Sequence, residues 1–267
     1  MRPPILWSLA LPAMLVSVAA DAQLPFSGIG ASVSEAYRKK FEGCDKTDRF
    51  GTVKFPIRRA NGTIRFFGCK SDPSRLTRLD GVPPAGAAPK AVLFVAKLAH
   101  DRDGSPSVCS GAAGPTDQCG TSLMLNPTAK HPCLIHTGSG KQCVPVNAEE
   151  VPYVVIPTAA PPGIDAHEFR TRTGLGFGDY GVVIANGRTI PVIVADGGPA
   201  YKIGEGSTAL LRALSSDGKP RTIAANVSYI LFPGSREPVA ALSPDNLASH
   251  VSAKAMSLFA AFKAAHP

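Results

Sequence analysis

Short apolar runs, bounded by Gly, Pro and Asn, dominate the second half of the chain. Runs of this length favour strands, because an amphipathic helix needs a longer stretch with apolar residues three or four positions apart. Strands are therefore predicted at AVLFVAKL (91–98), VPYVVIP (151–157), YGVVIAN (180–186), TIPVIVAD (189–196) and VSYILFP (227–233). We expect the last four to be neighbouring strands of one barrel-like sheet.

Helical patterns occur in only a few places. The capping-box sequence SVSE (32–35) predicts a short helix over 35–42, and Ser207 is expected to cap a helix that ends at residue 214. A long helix is predicted to start at 243–245, because apolar residues at helical spacing follow.

These elements together predict a mainly β fold, with a single-domain, barrel-like antiparallel sheet and a few helices around it. The specific arrangement that we favour is a double-psi barrel, in which a strand ending in Val-Ala-Asp-Gly before a short helix recurs.

The N-terminal part of the chain has a different pattern. Residue Arg2, an apolar run over 5–20 and small residues at 20 and 22 are typical of a secretory signal peptide over 1–22. Two strands joined by a turn at Asn61-Gly62 are predicted within 52–68. The Pro- and Gly-rich stretch 72–90 reads as a linker or long loop.

We therefore divide the chain into three parts: a signal peptide (1–22), a basic N-terminal region (23–90) and a catalytic domain (91–267). The predicted location is secreted, extracellular or periplasmic. No other stretch is long and apolar enough to cross a membrane, so we expect no membrane association after cleavage. We also expect a monomer.

The charge of the chain is concentrated near its beginning. The formal net charge is +8, and residues 35–80 carry 12 Lys or Arg against 6 Asp or Glu. From residue 151 onward the counts are 10 and 8. Such a basic region can attract anionic polymers or can be a solvated face. A nucleic-acid partner is not expected, because the chain has no recognised binding motif and carries an export signal.

Six cysteines follow the predicted cleavage site, and an even number in an exported chain argues for three disulfides. Fifteen connectivities are possible in principle. Sequential pairing fits the loops between the cysteines and predicts the bridges Cys44–Cys69, Cys109–Cys119 and Cys133–Cys143. Closely spaced ligand pairs such as CxxC do not occur, so we predict no structural metal site and no cofactor.

Acidic residues are scarce in the second half, and three of them lie in glycine-rich settings. Asp196 follows the apolar strand and precedes Gly197-Gly198, Glu205 lies between two glycines, and Asp179 lies in FGDYG (177–181). Glycines let the backbone approach a ligand closely and leave an acid uncovered. Each acid alone can equally be a turn or helix-end residue. Together they suggest paired carboxylates, which glycoside hydrolysis requires.

Other hydrolytic chemistries have little support. No histidine occurs in an H-E-x-x-H pair, and no serine lies in a Gly-x-Ser-x-Gly elbow. Asp101-Arg102-Asp103-Gly104 resembles the beginning of a calcium loop, but the later ligands are missing. A turn that supports the site is the better interpretation of these residues.

An ordered series of segments resembles glycoside hydrolase family 75, a family of secreted chitosanases best known from fungi. The segments are AKLAHDRDGSP (96–106), YVVIP (153–157), GDYGVVIANG (178–187), VIVADGG (192–198) and KIGEGSTALLRAL (202–214). The resemblance implies an endo-acting hydrolase that cleaves β-1,4-linked glucosamine (chitosan) with inversion. It also implies that Asp196 and Glu205 are the functional acids.

Between these two acids, we predict that Asp196 is the proton donor, because the end of an apolar strand raises the pKa of a carboxyl. Glu205, just before a helix, suits the base because the helix dipole stabilises its ionised form. The residues expected to bind substrate or support the pair are Asp101, Asp103, Asp179, Tyr180 and Lys202.

Two alternatives remain open at this point. Cleavage of peptidoglycan would suit the basic region better, since chitosan is itself cationic near and below neutral pH. A non-catalytic, wall-binding domain on the same fold is the other. In each case the expected partner is a polysaccharide.

Overall fold

The computed structural model describes Phe41 and residues 55–58, 64–67, 74–109, 117–134, 142–159, 167–199 and 202–266. The predicted signal peptide, the turn at Asn61-Gly62, Cys44 and Cys69 lie outside the described residues. So does the predicted helix over 35–42, apart from Phe41. That residue is helical and buried, and its ring contacts Phe169 at a centroid distance of 6.1 Å.

The strands in the described part of the chain are β1 (Phe55–Arg58), β2 (Ile64–Phe67), β3 (Arg78–Val82), β4 (Ala91–Asp101), β5 (Met124–Leu125), β6 (Val144–Pro145), β7 (Tyr153–Ala159), β8 (Tyr180–Ala185), β9 (Arg188–Pro199), β10 (Glu205–Ser207) and β11 (Ile223–Phe232). The helices are α1 (Pro106–Cys109), α2 (Glu168–Thr173), α3 (Thr208–Leu214) and α4 (Leu247–Ala265). Short 3-10 turns lie at Asp117–Cys119 and Val239–Ala241.

Six of these strands form a closed barrel. Their order is β10-β7-β9-β8-β11-β4, and β10 pairs back onto β4 to close the ring. The pairs β7–β9 and β10–β4 are parallel, and the other four are antiparallel. The predicted mainly β, barrel-like, single-domain fold is confirmed, and the four apolar segments after residue 151 are neighbours. The double-psi assignment stays a prediction.

The long strand β4 pairs with three other strands. One of its edges pairs with β11, whereas the other pairs first with β3 and then with β10. Alternate residues of β4 face the barrel core: Val92, Phe94, Ala96 and Leu98. They pack there against side chains of the other strands: Val154, Ile156, Val183, Val192, Val194, Val227, Tyr229 and Leu231. Alternation of this kind follows from the two-residue period of a strand.

Two helices cover the barrel. The long helix α4 packs against β8 and β9 through buried residues at helical spacing: Leu247, Val251, Ala255, Phe259 and Phe262. It begins slightly later than predicted. The shorter helix α3 begins as predicted, because the Ser207 Oγ accepts a hydrogen bond from the Leu210 amide at 3.1 Å. Its leucines enter the barrel core, so α3 closes one end of the barrel.

The prediction of a linker over 72–90 is wrong for part of that stretch. Residues 78–82 form β3, which pairs along the first half of β4. Only Leu79 and Val82 of β3 are buried apolar residues. The strand therefore forms by pairing with the otherwise unpaired edge of β4, because its own sequence has no distinct apolar pattern.

The two strands predicted within 52–68 are confirmed, because β1 and β2 pair antiparallel.

Two of the three predicted disulfides are confirmed. Cys109–Cys119 and Cys133–Cys143 are bonded, with Cα atoms 4.6 and 4.9 Å apart. Each bridge closes a polar loop between β4 and β7 that has little apolar content. A search of the described residues finds no helix long and apolar enough to span a membrane.

Candidate active site

The sheet register places Asp196 and Glu205 on either side of one residue. Val155 of β7 pairs with Glu205 of β10 across one edge and with Asp196 of β9 across the other. Residues paired directly across strands share a face of the sheet. Because two strand spacings separate them, their Cα atoms are about 10 Å apart. The two acids are thus neighbours across β7, as the predicted fold requires.

Asp196 reaches this position because the register of β7 and β9 shifts. Val154 pairs with Val194, but Val155 pairs with Asp196, so β9 contains one extra residue here. Such a shift redirects the side chains that follow it, and bulges often lie beside active sites. β9 also continues to Pro199, so Asp196 lies within the strand and not at its end as predicted.

Two further acids gather around Asp196. Asp101, at the end of β4, and Asp103, in the turn that follows, place carboxylate oxygens within 4.8 Å of one another and of Asp196. The Asp103 amide donates to Asp101 Oδ1 at 3.1 Å. Among the described residues this is the only group of three or more His, Cys, Asp or Glu side chains so close together. We call Asp101, Asp103 and Asp196 the acid cluster.

The Tyr153 hydroxyl contacts two residues of the acid cluster. This fully buried side chain lies on β7, two residues before Val155, and its hydroxyl is 3.2 Å from Asp101 Oδ2 and 2.8 Å from the Asp103 carbonyl oxygen. Burial and the nearby Asp101 charge raise the pKa of Tyr153, so the hydroxyl keeps its proton and can donate it. Tyr153 was part of a predicted strand, but nothing in its sequence context marked it as a site residue.

The acid cluster retains a proton at neutral pH. Burial, followed by the neighbouring charges of Asp101 and Asp196, raises the pKa of Asp103 to about 9. Burial and the Asp196 charge raise the pKa of Asp101. Burial also raises the pKa of Asp196, although hydrogen bonds from Gly197, Ser122 and Asp103 oppose it. Three carboxyls this close, one buried and two partly buried, cannot all be ionised at little cost, so a proton is shared among them.

Carboxylates at this spacing can share a divalent cation as well as a proton. Several donors already bind the cluster oxygens, among them the Ser122 amide and hydroxyl, the Tyr153 hydroxyl and the Asp103 amide. Gly104, with a φ of +77°, lets the chain turn sharply after Asp103. These contacts favour a proton-holding cluster carried on a turn, and the supporting role of 101–104 stays a prediction.

Glu205 lies in a different environment. Its carboxylate forms an ion pair with the ammonium of Lys202, and its side chain is 14% exposed. A Cβ added at Gly198 would lie 3.2 Å from Glu205 Oε2, so glycine at this position leaves room for the carboxylate. The predicted association of Lys202 with the pair is therefore an ion pair with Glu205.

The glycines around Glu205 have another function than the one predicted. A Cβ at Gly204, whose φ is +86°, would lie 2.3 Å from the Lys97 carbonyl oxygen. A Cβ at Gly206 would lie 2.8 Å from the Tyr153 carbonyl oxygen. The glycines let β10 fit between β4 and β7, so they admit neighbouring strands and not a ligand.

Asp179 and Tyr180 lie apart from the acid cluster. The Asp179 side chain is fully buried, and it accepts hydrogen bonds from the Gly176 amide at 2.8 Å and the Arg236 amide at 3.0 Å. Tyr180 is buried too and donates to Glu237 at 2.8 Å. Asp179 joins two loops at one end of β8, and Tyr180 connects β8 to the chain before α4. Their burial supports a structural role in place of sugar contact.

Ser122 is a site residue that sequence reasoning missed. Its amide and its hydroxyl both donate to Asp196 Oδ1, each at 2.8 Å. It lies 74 residues from Asp196, in a polar stretch with no motif, so no sequence signal could have identified it.

The fold and the site define a class of protein. The acid cluster on one side of β7 and the ion-paired Glu205 on the other place carboxyls in contrasting charge environments on one face of the sheet. The family model described as fungal chitosanase of glycosyl hydrolase group 75 matches residues 107–263, more than half of the chain. This protein belongs to that family and is a glycoside hydrolase.

The matched region contains Ser122, Tyr153, Asp196 and Glu205, and it begins after Asp101 and Asp103. The family membership predicted from the ordered segments is thus confirmed. No curated protein matches the chain.

Proposed function

We propose that this protein is a secreted, endo-acting chitosanase that hydrolyses β-1,4-linked glucosamine by single displacement with inversion. Asp196 and Glu205 are the catalytic pair. The observation that carries the proposal is that both acids flank Val155 on one face of the sheet, in opposite electrostatic settings. Pairs of carboxyls in contrasting environments are typical of a proton donor and a base.

Asp196 supplies the proton to the leaving glycosidic oxygen. Burial raises the pKa of Asp196, which favours a protonated carboxyl, and the hydrogen bond from Asp103, which opposes that rise, keeps a second proton beside it. As the bond between the anomeric carbon and that oxygen breaks, the proton moves from the Asp196 carboxyl to the oxygen. Asp196 is left ionised and accepts the hydrogen bonds from Ser122.

Glu205 acts as the base on the opposite side. Its ionised carboxylate takes a proton from a water, whose oxygen attacks the anomeric carbon from the face opposite to the leaving group. Inverting pairs are roughly 6.5–9.5 Å apart and retaining pairs about 5–5.5 Å. The Cα atoms of the two acids are two strand spacings apart, which supports the wider, inverting separation of their carboxyls.

The substrate class agrees with the local charge. The chain as a whole is basic, but the face that carries the pair contains Asp101, Asp103, Asp196 and Glu205, and Lys202 already neutralises one of them. A local excess of acid attracts the ammonium groups of a glucosamine polymer. Secretion is supported by the N-terminal signal pattern and by the two disulfides, which persist in oxidising compartments.

The test compares Asp196→Asn and Glu205→Gln with the parent enzyme. Circular dichroism establishes folding, and reducing ends are counted on soluble chitosan, chitin and peptidoglycan. Both variants should lose at least about 1,000-fold in kcat on chitosan, in the range expected for loss of an essential acid or base. Near-parental turnover by either variant would refute the catalytic pair. Cleavage of peptidoglycan but not chitosan would replace the proposed substrate, and no cleavage by the parent would indicate a binding domain.

Two further measurements address the mode of cleavage. Proton NMR of the first product formed should show the α anomer, because inversion at a β linkage produces it. A rapid fall in chitosan viscosity at few bonds cut should accompany endo attack. Initial formation of the β anomer would contradict single displacement.

A further inference from the structure

Ser122 makes the most direct contact with the proposed proton donor. Both of its donors converge on one oxygen, Asp196 Oδ1, at 2.8 Å each. Asp196 is 6% exposed, so few competing waters reach its carboxyl. We propose that Ser122 is a positioning residue that orients Asp196 and stabilises its ionised form after proton transfer. This inference rests on the proposed function.

Ser122 is itself held in place next to β9. The amide of the following residue, Leu123, donates to the Ala195 carbonyl oxygen at 2.8 Å, directly before Asp196. The preceding residue, Thr121, donates to the Leu123 carbonyl oxygen at 2.7 Å and accepts from the Val146 amide at 2.9 Å. The orientation of Ser122 is thus set by a bonded network on both sides.

Gly197 provides the space that this contact needs. A Cβ at this position would lie 3.1 Å from Ser122 Oγ and 2.0 Å from Thr158 Oγ1. A side chain there would clash with the Thr158 hydroxyl and would crowd the Ser122 hydroxyl. The Gly-Gly sequence after Asp196 therefore serves two contacts: Gly197 admits Ser122, and Gly198 leaves room for Glu205.

The Ser122 segment also supports the other acids of the cluster. The Gly104 amide donates to the Gln118 carbonyl oxygen at 3.0 Å, which connects the turn containing Asp103 to this segment. The disulfide Cys109–Cys119 closes the loop three residues before Ser122. The polar loop between β4 and β5 thereby orients two parts of the acid cluster, and Ser122 is the residue that reaches the reacting carboxyl.

Removing the hydroxyl has a defined chemical consequence. The two Ser122 hydrogen bonds lower the pKa of Asp196, against the effect of burial. Without one of them, the ionised carboxylate that remains after protonation of the leaving group is less stable, so kcat falls. Ground-state binding of the polymer is not involved, so KM stays nearly constant. A hydrogen bond to a charged group corresponds to about 10- to 100-fold in rate.

The experiment uses Ser122→Ala and Ser122→Thr in the full-length secreted enzyme. The matched control is Ser216→Ala, a serine exposed on the loop after α3. We expect Ser122→Ala to lose about 10- to 100-fold in kcat, while its KM stays within about twofold of the parent value. The alkaline limb of its pH–rate profile should move to higher pH, because the pKa of Asp196 rises when the hydroxyl is removed. Ser122→Thr, which restores the hydroxyl, should recover kcat to within about threefold, and the control should equal the parent.

Several outcomes would overturn the positioning role. These are an unchanged kcat in folded Ser122→Ala, a loss confined to KM, or a pH profile of unchanged shape. If Ser122→Ala does not fold, the kcat of Ser122→Thr tests the proposal. A folded but inactive Ser122→Thr contradicts the role of the hydroxyl. In the Asp196→Asn background, Ser122→Ala should cause no further loss. Activity of Asp196→Asn alone would instead refute the proposed function, so the two failures are distinguishable.

Discussion

The two sides of the site are constructed by different means. The acid cluster is partly buried and is assembled from β4, β9 and the turn after β4, with contacts from β7 and a disulfide-closed polar loop, whereas Glu205 lies on a three-residue strand and forms an ion pair with Lys202. The cluster depends on side-chain contacts between distant segments. The Glu205 side depends on backbone fit, because glycines at 204 and 206 let β10 enter the barrel wall.

This difference has a consequence for substitution. A backbone change on the Glu205 side, at Gly204 or Gly206, disturbs the closure of the barrel before it disturbs chemistry, because β10 is the strand that closes the ring. A change on the cluster side alters protonation and orientation while the barrel remains intact. The two sides should therefore respond differently to mutation and to pH.

The largest effect is expected for Gly204→Ala. The φ of +86° and the Lys97 carbonyl oxygen, 2.3 Å from the added Cβ, force β10 away from β4. We expect a loss of about 3–5 kcal/mol in unfolding free energy and no measurable chitosan cleavage. Denaturant unfolding measures this. Gly218→Ala is the control, because its φ of +67° is similar but no atom lies within 4 Å, and it should cost only about 1 kcal/mol.

The two disulfides provide the next comparison. Each closes a loop of the same sequence separation, 10, but only Cys109–Cys119 belongs to the loop that carries Ser122. Both Cys→Ser pairs should lose about 2–3 kcal/mol of stability. Only Cys109→Ser/Cys119→Ser should also lose about tenfold or more in kcat, measured well below both melting temperatures. Equal kcat values in the two double variants would contradict the proposed link between loop and site.

A smaller effect is expected for Lys202→Met. The ion pair with Glu205 lies in a partly buried setting, where its loss leaves the carboxylate uncompensated. We expect kcat/KM on chitosan to fall by about 3- to 30-fold, and Lys202→Arg to recover most of it. Lys219→Met, at an exposed loop, is the matched control and should be silent. Unchanged activity in Lys202→Met would exclude a role of this ammonium in orienting Glu205.

The smallest effect concerns pH and stability. Asp103 has a pKa of about 9 in the folded chain against 3.8 as the ordinary value. Between these values the folded state holds a proton that the unfolded state has released, so this residue lowers stability as pH rises from about 4 to about 9. Asp103→Asn removes the penalty. Its Tm should exceed that of the parent by a few degrees more at pH 8.5 than at pH 5. A Tm difference independent of pH would contradict this assignment.

Much of the fold could be predicted from local pattern. The strands that became β4, β7, β8, β9 and β11 were predicted from short apolar runs, because a buried strand must be apolar wherever its neighbours lie. The strand β3 could not be predicted in this way, since only two of its five residues are buried apolar side chains. The closing strand β10 has the sequence Glu-Gly-Ser and no apolar pattern. The sequence indicates only its flanking and internal glycines, 204 and 206, and the helix cap at Ser207.

The candidate site divides in the same manner. Asp196 and Glu205 stand out in the sequence because acids are scarce in this half of the chain and both lie beside glycines, and the family resemblance implies the same two residues. Asp179 has the same local setting but is buried among backbone amides, so glycine context alone does not separate a reactive acid from a structural one.

The sequence by itself determined the five apolar strands, the helix cap at Ser207, the two described disulfides and the candidate acids, because each follows from residue type and short-range spacing. Tertiary structure alone decided which acids meet. Pairing between distant segments produces the shift of register before Asp196 and the contact of Ser122 with Asp196 across 74 residues. It also brings Asp101 and Asp103 to the Tyr153 hydroxyl. The two-residue period of a strand encodes which face a side chain takes, but it does not encode which partner lies opposite.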